Sequence, residues 1–236
     1  MLKNLPIYIP IIFGMITFVV LFLFYNAIKN TKTEKISKKS NIILFFLIFW
    51  LIIQAVLSYN NVYNSHLELL PPKIMIFGVL PTILVMIFLF VTKSGLEFID
   101  SVPIINLTYI NIVRIFVEIA LFLLFTHKAI PQIMTFEGRN FDIIAGITAP
   151  LIIYFGFQKG KLNHKIILYW NFICLLLLLN IVFYAIFSAP SPFQQFGFEQ
   201  PNVAILHFPF AWLPTFIVPV VLFGHFVSIR QLLKQK

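Results

Sequence analysis

The sequence predicts an all-α membrane protein, a bundle of seven transmembrane helices, from its composition and from the length of its apolar runs. The 236 residues are 60% hydrophobic and 11% charged, with a mean hydropathy of +0.97. Soluble domains carry about 25% charged residues, so a soluble core of this composition would leave too much apolar surface in water. Lipid is the solvent that fits, and the 29 Phe residues agree with it because Phe is favourable at membrane depth.

Seven apolar runs approach the length of about 20 residues that a helix needs to cross a bilayer. They are continuously apolar rather than alternating, which excludes the strands of a membrane barrel. The runs cover about residues 7–28, 41–59, 74–92, 106–126, 141–157, 165–187 and 208–229. They leave only short connections, so we predict a single integral membrane domain over residues 1–236. The first run is too long for the apolar region of a signal peptide and is predicted to be a retained span.

The distribution of Lys and Arg predicts how the bundle is oriented. The loops that follow the first, third and fifth runs, the C-terminal tail and Lys165 at the start of the sixth run together account for 12 of the 17 Lys and Arg residues. Cytoplasmic loops of membrane proteins carry such an excess, so the N-terminus is predicted outside and the C-terminus in the cytoplasm, in the cell inner (plasma) membrane. The same bias explains the net charge of +9 without a nucleic acid partner, since no soluble element carries a basic face.

Two charged residues, Arg114 and Glu118, lie within the fourth run and share one helix face at i, i+4. A charge at the bilayer centre costs about 2.5–3.5 kcal/mol on insertion scales, so both should face the bundle interior and be paired. Two interpretations are open: an ion pair that neutralises itself and locks helix packing, or a ligand or proton site. Asn111, near the same face, and Asn171 and His225, predicted at the depth of Arg114, are candidates to complete that site.

A second set of polar residues is predicted at the outer face, in the loops after the fourth and sixth runs and at the start of the fifth run: His127, Glu137, Arg139, Asp142 and His207. Asp142 near the start of the fifth run suits the helix dipole. Glu137 and Arg139 flank a glycine in a predicted turn, where they could pair or bind a headgroup. Glu118 is about two helical turns from this loop, so the two sets form one site only if a cavity opens inward from the outer face.

Several familiar chemistries are absent from the sequence. It lacks HExxH, GxSxG and CxxCH motifs and the glycine motifs of nucleotide-binding sites. The last run contains no Lys for a retinal Schiff base, and the single Cys excludes a cysteine cluster. The outer histidines and carboxylates match no metal-ligand spacing. We therefore predict no metal and no cofactor, and assign no catalytic residue.

Two segments, TFEGRNFDIIAGITAP and SAPSPFQQFGFEQPNVAILHFPFAWLP, resemble a family of predicted bacterial multi-pass, seven-span membrane proteins with no assigned function. The resemblance covers about the C-terminal half of the chain. It implies a membrane location and carries no activity or functional residue.

The leading functional hypothesis is a protein that binds or translocates a small or lipidic molecule between Arg114/Glu118 and the outer loops. Two alternatives are open. The first is a membrane enzyme that acts on lipid or an envelope precursor, with the outer-face residues as general acids and bases. The second is an assembly subunit of a membrane complex. The sequence predicts no oligomeric state.

Overall fold

The computed structural model describes residues 5–234, and every secondary-structure element in this range is helical. The all-α prediction is confirmed. The α-helices are α1 (Tyr8–Lys29), α2 (Glu34–Ser37), α3 (Ser40–Tyr59), α4 (Leu80–Val91), α5 (Lys93–Ser101), α6 (Ile104–Ile110), α7 (Val113–Thr126), α8 (Ile143–Leu151), α9 (His164–Ser188) and α10 (Val218–Lys234). Segments of π-helix at Met75–Val79, Ile152–Gln158 and Leu213–Ile217 extend α4, α8 and α10, and 3-10 turns occupy Gln132–Met134 and Ala204–Leu206.

The long helices establish a multi-pass membrane protein. Five are long and apolar enough to cross a membrane: Tyr8–Lys29, Ser40–Tyr59, Ile104–Thr126, His164–Ser188 and Leu213–Lys234. A sixth span exists if Met75–Val91 and α5, which are bent by 94°, are taken together. The spans that contain α7 and α10 have the largest shares of buried residues in their apolar windows, 61% and 67%. They therefore form the centre of the bundle.

The third predicted run is followed by a short helix, α5, that was not predicted from the sequence. The chain turns after Thr92, whose side chain accepts a hydrogen bond from the Gly95 backbone N–H at 3.1 Å and caps α5. Near the end of α5, Asp100 accepts hydrogen bonds from Arg230 at 3.1 Å and Lys234 at 2.5 Å. Packing on α5 carries α10 to Lys234, beyond the predicted end of the last run at residue 229.

The fifth predicted run forms an apolar helical segment, Ile143–Gln158, that is shorter than the membrane-spanning helices. At 1.5 Å per residue it is about 24 Å long, less than the roughly 30 Å of a hydrocarbon core. The preceding loop was predicted to lie on the outer face, and this placement is wrong for much of it, since Ile130, Met134, Thr135 and Asn140 are fully buried. The loop folds back into the bundle, so α8 begins inside it.

A glycine permits the close packing of α8 on α7. A Cβ atom at Gly146 would lie 2.7 Å from Ile115 Cγ1 and 2.9 Å from the Ile115 backbone nitrogen. Any larger residue would push the two helices apart. The start of α8 is thereby held beside the polar part of α7.

Two prolines explain the hydrogen bonds that the peripheral helix α3 donates to neighbouring helices. Proline has no N–H, so the carbonyl four residues before it in a helix loses its usual donor. Pro81 frees the Phe77 carbonyl, which accepts from Gln54 Nε2 at 3.1 Å. Pro219 frees the Thr215 carbonyl, which accepts from Trp50 Nε1 at 2.9 Å. These hydrogen bonds attach α3 to the two interrupted helices.

Candidate functional site

Arg114 is the centre of a buried polar network in which all five of its N–H donors have an acceptor. The side chain is 3% exposed. Nε donates to Asp142 Oδ2 at 2.6 Å, and Nη2 donates to Asp142 Oδ1 and to the Cys174 carbonyl. Nη1 donates to Asn111 Oδ1 and His225 Nε2, each at 3.1 Å. The planar guanidinium thus joins α7 to the start of α8, to α9 and to α10.

His225 and Asn171 extend this network. Arg114 has donors only, so His225 Nε2 must accept and the ring proton is on Nδ1. Nδ1 then donates to Asn171 Oδ1 at 3.0 Å, and Asn171 Nδ2 donates to the Ile167 carbonyl at 2.9 Å. The structure therefore brings together four of the five residues that were predicted to share a site: Asn111, Arg114, Asn171 and His225.

Glu118, the fifth, lies one turn beyond Arg114 and is 1% exposed. Both its carboxylate oxygens face Asn140 Nδ2, at 2.7 and 2.6 Å, and the same amide nitrogen is 3.0 Å from the Met134 carbonyl. An amide has two N–H donors, so three acceptors share two hydrogens. Among residues 5–234, Glu118 has no ion-pair partner.

The ion-pair interpretation of Arg114 and Glu118 is wrong, because Asp142 takes the place of Glu118 beside the guanidinium. The placement of Asp142 on the outer surface is wrong for the same reason. Its side chain makes no capping hydrogen bond at α8 and points instead to Arg114. The buried loop accounts for both errors, since it lowers the start of α8 to the depth of Arg114.

A cavity of about 350 Å³ links this polar network to the loops at one end of the bundle. Its inner end, which we call the floor, contains Arg114, Glu118 and Asp142. Its mouth contains residues of two loops: His66, Pro71, Pro72, Lys73, Pro190, Ser191 and Phe193. The His66 side chain at the mouth is 66% exposed, whereas the floor residues are buried.

The walls between floor and mouth are apolar. They are formed by α7, α9 and α10, with the π-helical segments of Met75–Val79 and Leu213–Ile217. The wall residues include Val117, Leu121, Leu178, Ile181, Val182, Ile217 and Val221. A few polar groups at one end of an apolar cavity of this size are typical of a small-molecule site.

The other predicted outer-face residues do not line this cavity. Arg139 Nη1 donates to the Tyr184 hydroxyl at 3.2 Å, which raises the pKa of the guanidinium. His127 and His207 each place Nδ1 within 2.9 Å of the carbonyl four residues earlier. Glu137 is exposed. Of the five residues, the cavity lining contains Asp142 alone.

Sequence reasoning missed the role of Asn140, which holds Glu118 and accepts from the Asp142 backbone N–H at 3.0 Å. The only signal was indirect: a buried Arg needs a counter-charge, and a segment rich in polar residues follows its helix. Within the described residues, no three His, Cys, Asp or Glu side chains are grouped so that they could hold a metal.

These features define an integral membrane protein with an internal, polar-ended cavity. The chain belongs to the family described as "Domain of unknown function (DUF8737)", whose model matches residues 71–233. The predicted membership of an uncharacterised family is confirmed, and the match includes every residue of the floor. Comparison with curated proteins and comparison with solved structures each found no match.

Proposed function

We propose that this protein binds, or carries across the membrane, a small or lipidic molecule with an apolar body. The observation that carries the proposal is the cavity of about 350 Å³, with apolar walls, a floor of buried ionisable groups and a mouth at the loops. Burial of apolar surface on the walls would provide affinity, and the floor would recognise the polar end of the ligand.

The proposal includes a seven-span arrangement in the inner (plasma) membrane, with the N-terminus outside and the cavity mouth at the outer face. Contacts between loops support it. Lys32 N donates to the Ser101 carbonyl at 3.0 Å, and Asp100 binds Lys234, which groups the loop after α1, α5 and the C-terminal tail at one end. At the opposite end, Ala204 N donates to the Ala129 carbonyl at 3.1 Å. This grouping agrees with the positive-inside bias.

The interrupted helices favour binding or translocation over the other hypotheses. Two of the three π segments, Met75–Val79 and Leu213–Ile217, contribute to the cavity wall. Helix interruptions beside a binding site are typical of transporters, and π-helical turns are frequent at functional sites. The enzyme hypothesis has less support, because the outer-face residues that it requires do not share a pocket.

A matched pair of substitutions on α9 tests the proposal. Leu178 is 3% exposed and lines the cavity, whereas Leu176 is 65% exposed on another face of the same helix. Leu178→Trp fills the cavity, and Leu176→Trp adds the same side chain outside it. Each protein is purified in mild detergent and its co-purifying molecules are identified by native mass spectrometry and lipidomics.

The expected result is a molecule that accompanies the wild-type protein and Leu176→Trp but is depleted at least tenfold from Leu178→Trp. Thermal unfolding of each variant verifies that it is folded. Equal retention by both variants would overturn the proposal, since the molecule would then be bound outside the cavity.

A further inference from the structure

The hydrogen bonds of the floor indicate which of its charges a ligand can use. Arg114 is the natural first candidate for an anionic headgroup, because guanidinium binds carboxylate and phosphate well. Its five N–H donors are, however, all directed to protein acceptors: Asn111, Asp142, Cys174 and His225. An anion would have to displace Asp142 and leave that carboxylate buried without its partner, which is strongly unfavourable.

Glu118 differs from Arg114 because its hydrogen-bonding capacity is incompletely used. An ionised carboxylate has about four acceptor positions. Asn140 is the only described donor to Glu118, and it shares its two hydrogens with the Met134 carbonyl. Glu118 is also a lining residue of the cavity, so a ligand that reaches the floor can meet its carboxyl group.

The balance of charge at the floor points the same way. Arg114 and Asp142 neutralise each other in a buried ion pair, which leaves Glu118 as the acidic group of the floor without an ion-pair partner among residues 5–234. Lys73, the cation at the mouth, instead donates to Ser65 Oγ at 2.8 Å, so it is held in the loop.

We propose that the ligand is an apolar amine, whose protonated nitrogen donates to Glu118 at the floor and whose apolar part lies along the walls. This inference rests on the proposed function, because it names the ligand class of the same cavity. Arg114 then has a positioning role: it holds Asp142, and thereby Asn140, against Glu118. The site selects against anionic headgroups.

Three probes with the same alkyl chain and different head groups test this inference: dodecylamine, dodecanol and dodecyl phosphate. Binding to the full-length protein in a zwitterionic detergent is measured by native mass spectrometry at equal probe concentrations. We expect wild-type protein to bind dodecylamine at least tenfold better than either of the other probes. This ranking needs no variant of Glu118, so it does not depend on how such a variant folds.

Variants then locate the interaction. Glu118→Gln keeps the shape of the side chain and removes its charge, and we expect about tenfold weaker amine binding, as for the loss of one charge-assisted hydrogen bond. Glu137→Gln makes the same change at an exposed carboxylate outside the cavity and should leave binding unchanged. Partitioning into detergent is common to all variants, so it cancels in these comparisons.

The outcomes separate the inference from the proposed function. Equal or tighter binding of dodecyl phosphate or dodecanol, lost in Leu178→Trp, would overturn the amine inference and leave the cavity as a binding site. Probe binding that Leu178→Trp does not weaken would overturn both. Amine-selective binding that requires Glu118 and an open cavity would support both.

Discussion

Arg114 and Asp142 are 28 residues apart in sequence and form a two-contact ion pair at the floor of the cavity. The pair connects two helices and the loop between them, and both side chains are buried. Removing one partner of such a pair leaves an uncompensated buried charge, whereas removing both leaves none. Arg114 and Asp142 therefore make the position of the loop and the stability of the floor interdependent.

Arg114→Ala is expected to destabilise the protein by about 3–5 kcal/mol, because Asp142 would remain buried without a cation. The measurement is thermal or denaturant unfolding in detergent. The double variant Arg114→Met with Asp142→Leu should be less destabilised than Arg114→Ala. Arg139→Ala is the control, since Arg139 is exposed, and it should change the stability little. If the losses in unfolding free energy of Arg114→Met and Asp142→Leu, each measured alone, add up to the loss in the double variant, the pairing is contradicted.

The contact between Glu118 and Asn140 can be tested by exchanging the carboxylate and the amide between the two positions. Asn140→Asp places two carboxylates in contact and removes a donor from the Met134 carbonyl, which should cost about 1–3 kcal/mol or more. Adding Glu118→Gln restores one amide and one carboxylate at the same contact and should recover part of the loss. Unfolding curves of the two single variants and the double variant measure this coupling. No recovery would mean that the contact contributes nothing to stability.

The stability cost of replacing Trp50 is expected to depend on whether residue 219 is a proline. Trp50→Phe removes the donor to the Thr215 carbonyl and should cost about 1–3 kcal/mol in the wild-type protein. Pro219→Ala supplies a backbone N–H four residues after Thr215, so Trp50→Phe should cost less in that background. A double-mutant cycle by thermal unfolding measures the difference. An equal cost in both backgrounds would show that the indole contributes only through packing.

The proposed orientation predicts which loops a membrane-impermeant maleimide reaches in intact cells. The background is Cys174→Ala, which removes the one native thiol. Single cysteines are introduced at exposed loop positions on both sides. Labelling is expected from outside at positions 64, 137 and 195, and only after permeabilisation at positions 35 and 161. The reverse pattern would invert the proposed topology, and a mixed pattern would exclude seven spans.

Asp100 predicts a small effect of pH at the opposite end of the bundle. Burial raises the pKa of Asp100, but the hydrogen bonds from Lys234 and Arg230 outweigh it, so the pKa lies below its ordinary value. The stabilisation is then fully present above the unfolded value of about 3.9 and is lost as the pH falls through the lower folded value. Asp100 is partly exposed, so the expected loss is under about 1 kcal/mol. Asp100→Asn should remove this part of the acid dependence of unfolding, which a pH series would measure.

The sequence identified most of the site residues because burial of polar groups in a membrane has a compositional signature. Arg114, Glu118, Asn111, Asn171 and His225 are polar residues within apolar runs, and such residues are expected to face the bundle interior. Four of them share one hydrogen-bonded network. Which charge pairs with which was not predictable, because i, i+4 spacing makes a contact possible without excluding a better partner elsewhere.

The sequence alone determined the membrane setting and the all-helical fold, because the excess of apolar residues and the length of the apolar runs leave no other solvent and no other backbone arrangement. Only the tertiary structure decided the depth of the loop after α7, the partner of Arg114 and the incomplete hydrogen bonding of Glu118. These depend on how α8 packs against α7 at Gly146 and on where Asn140 and Asp142 are thereby placed. Composition and periodicity act along one helix, whereas the site is made by contacts between helices that are far apart in sequence.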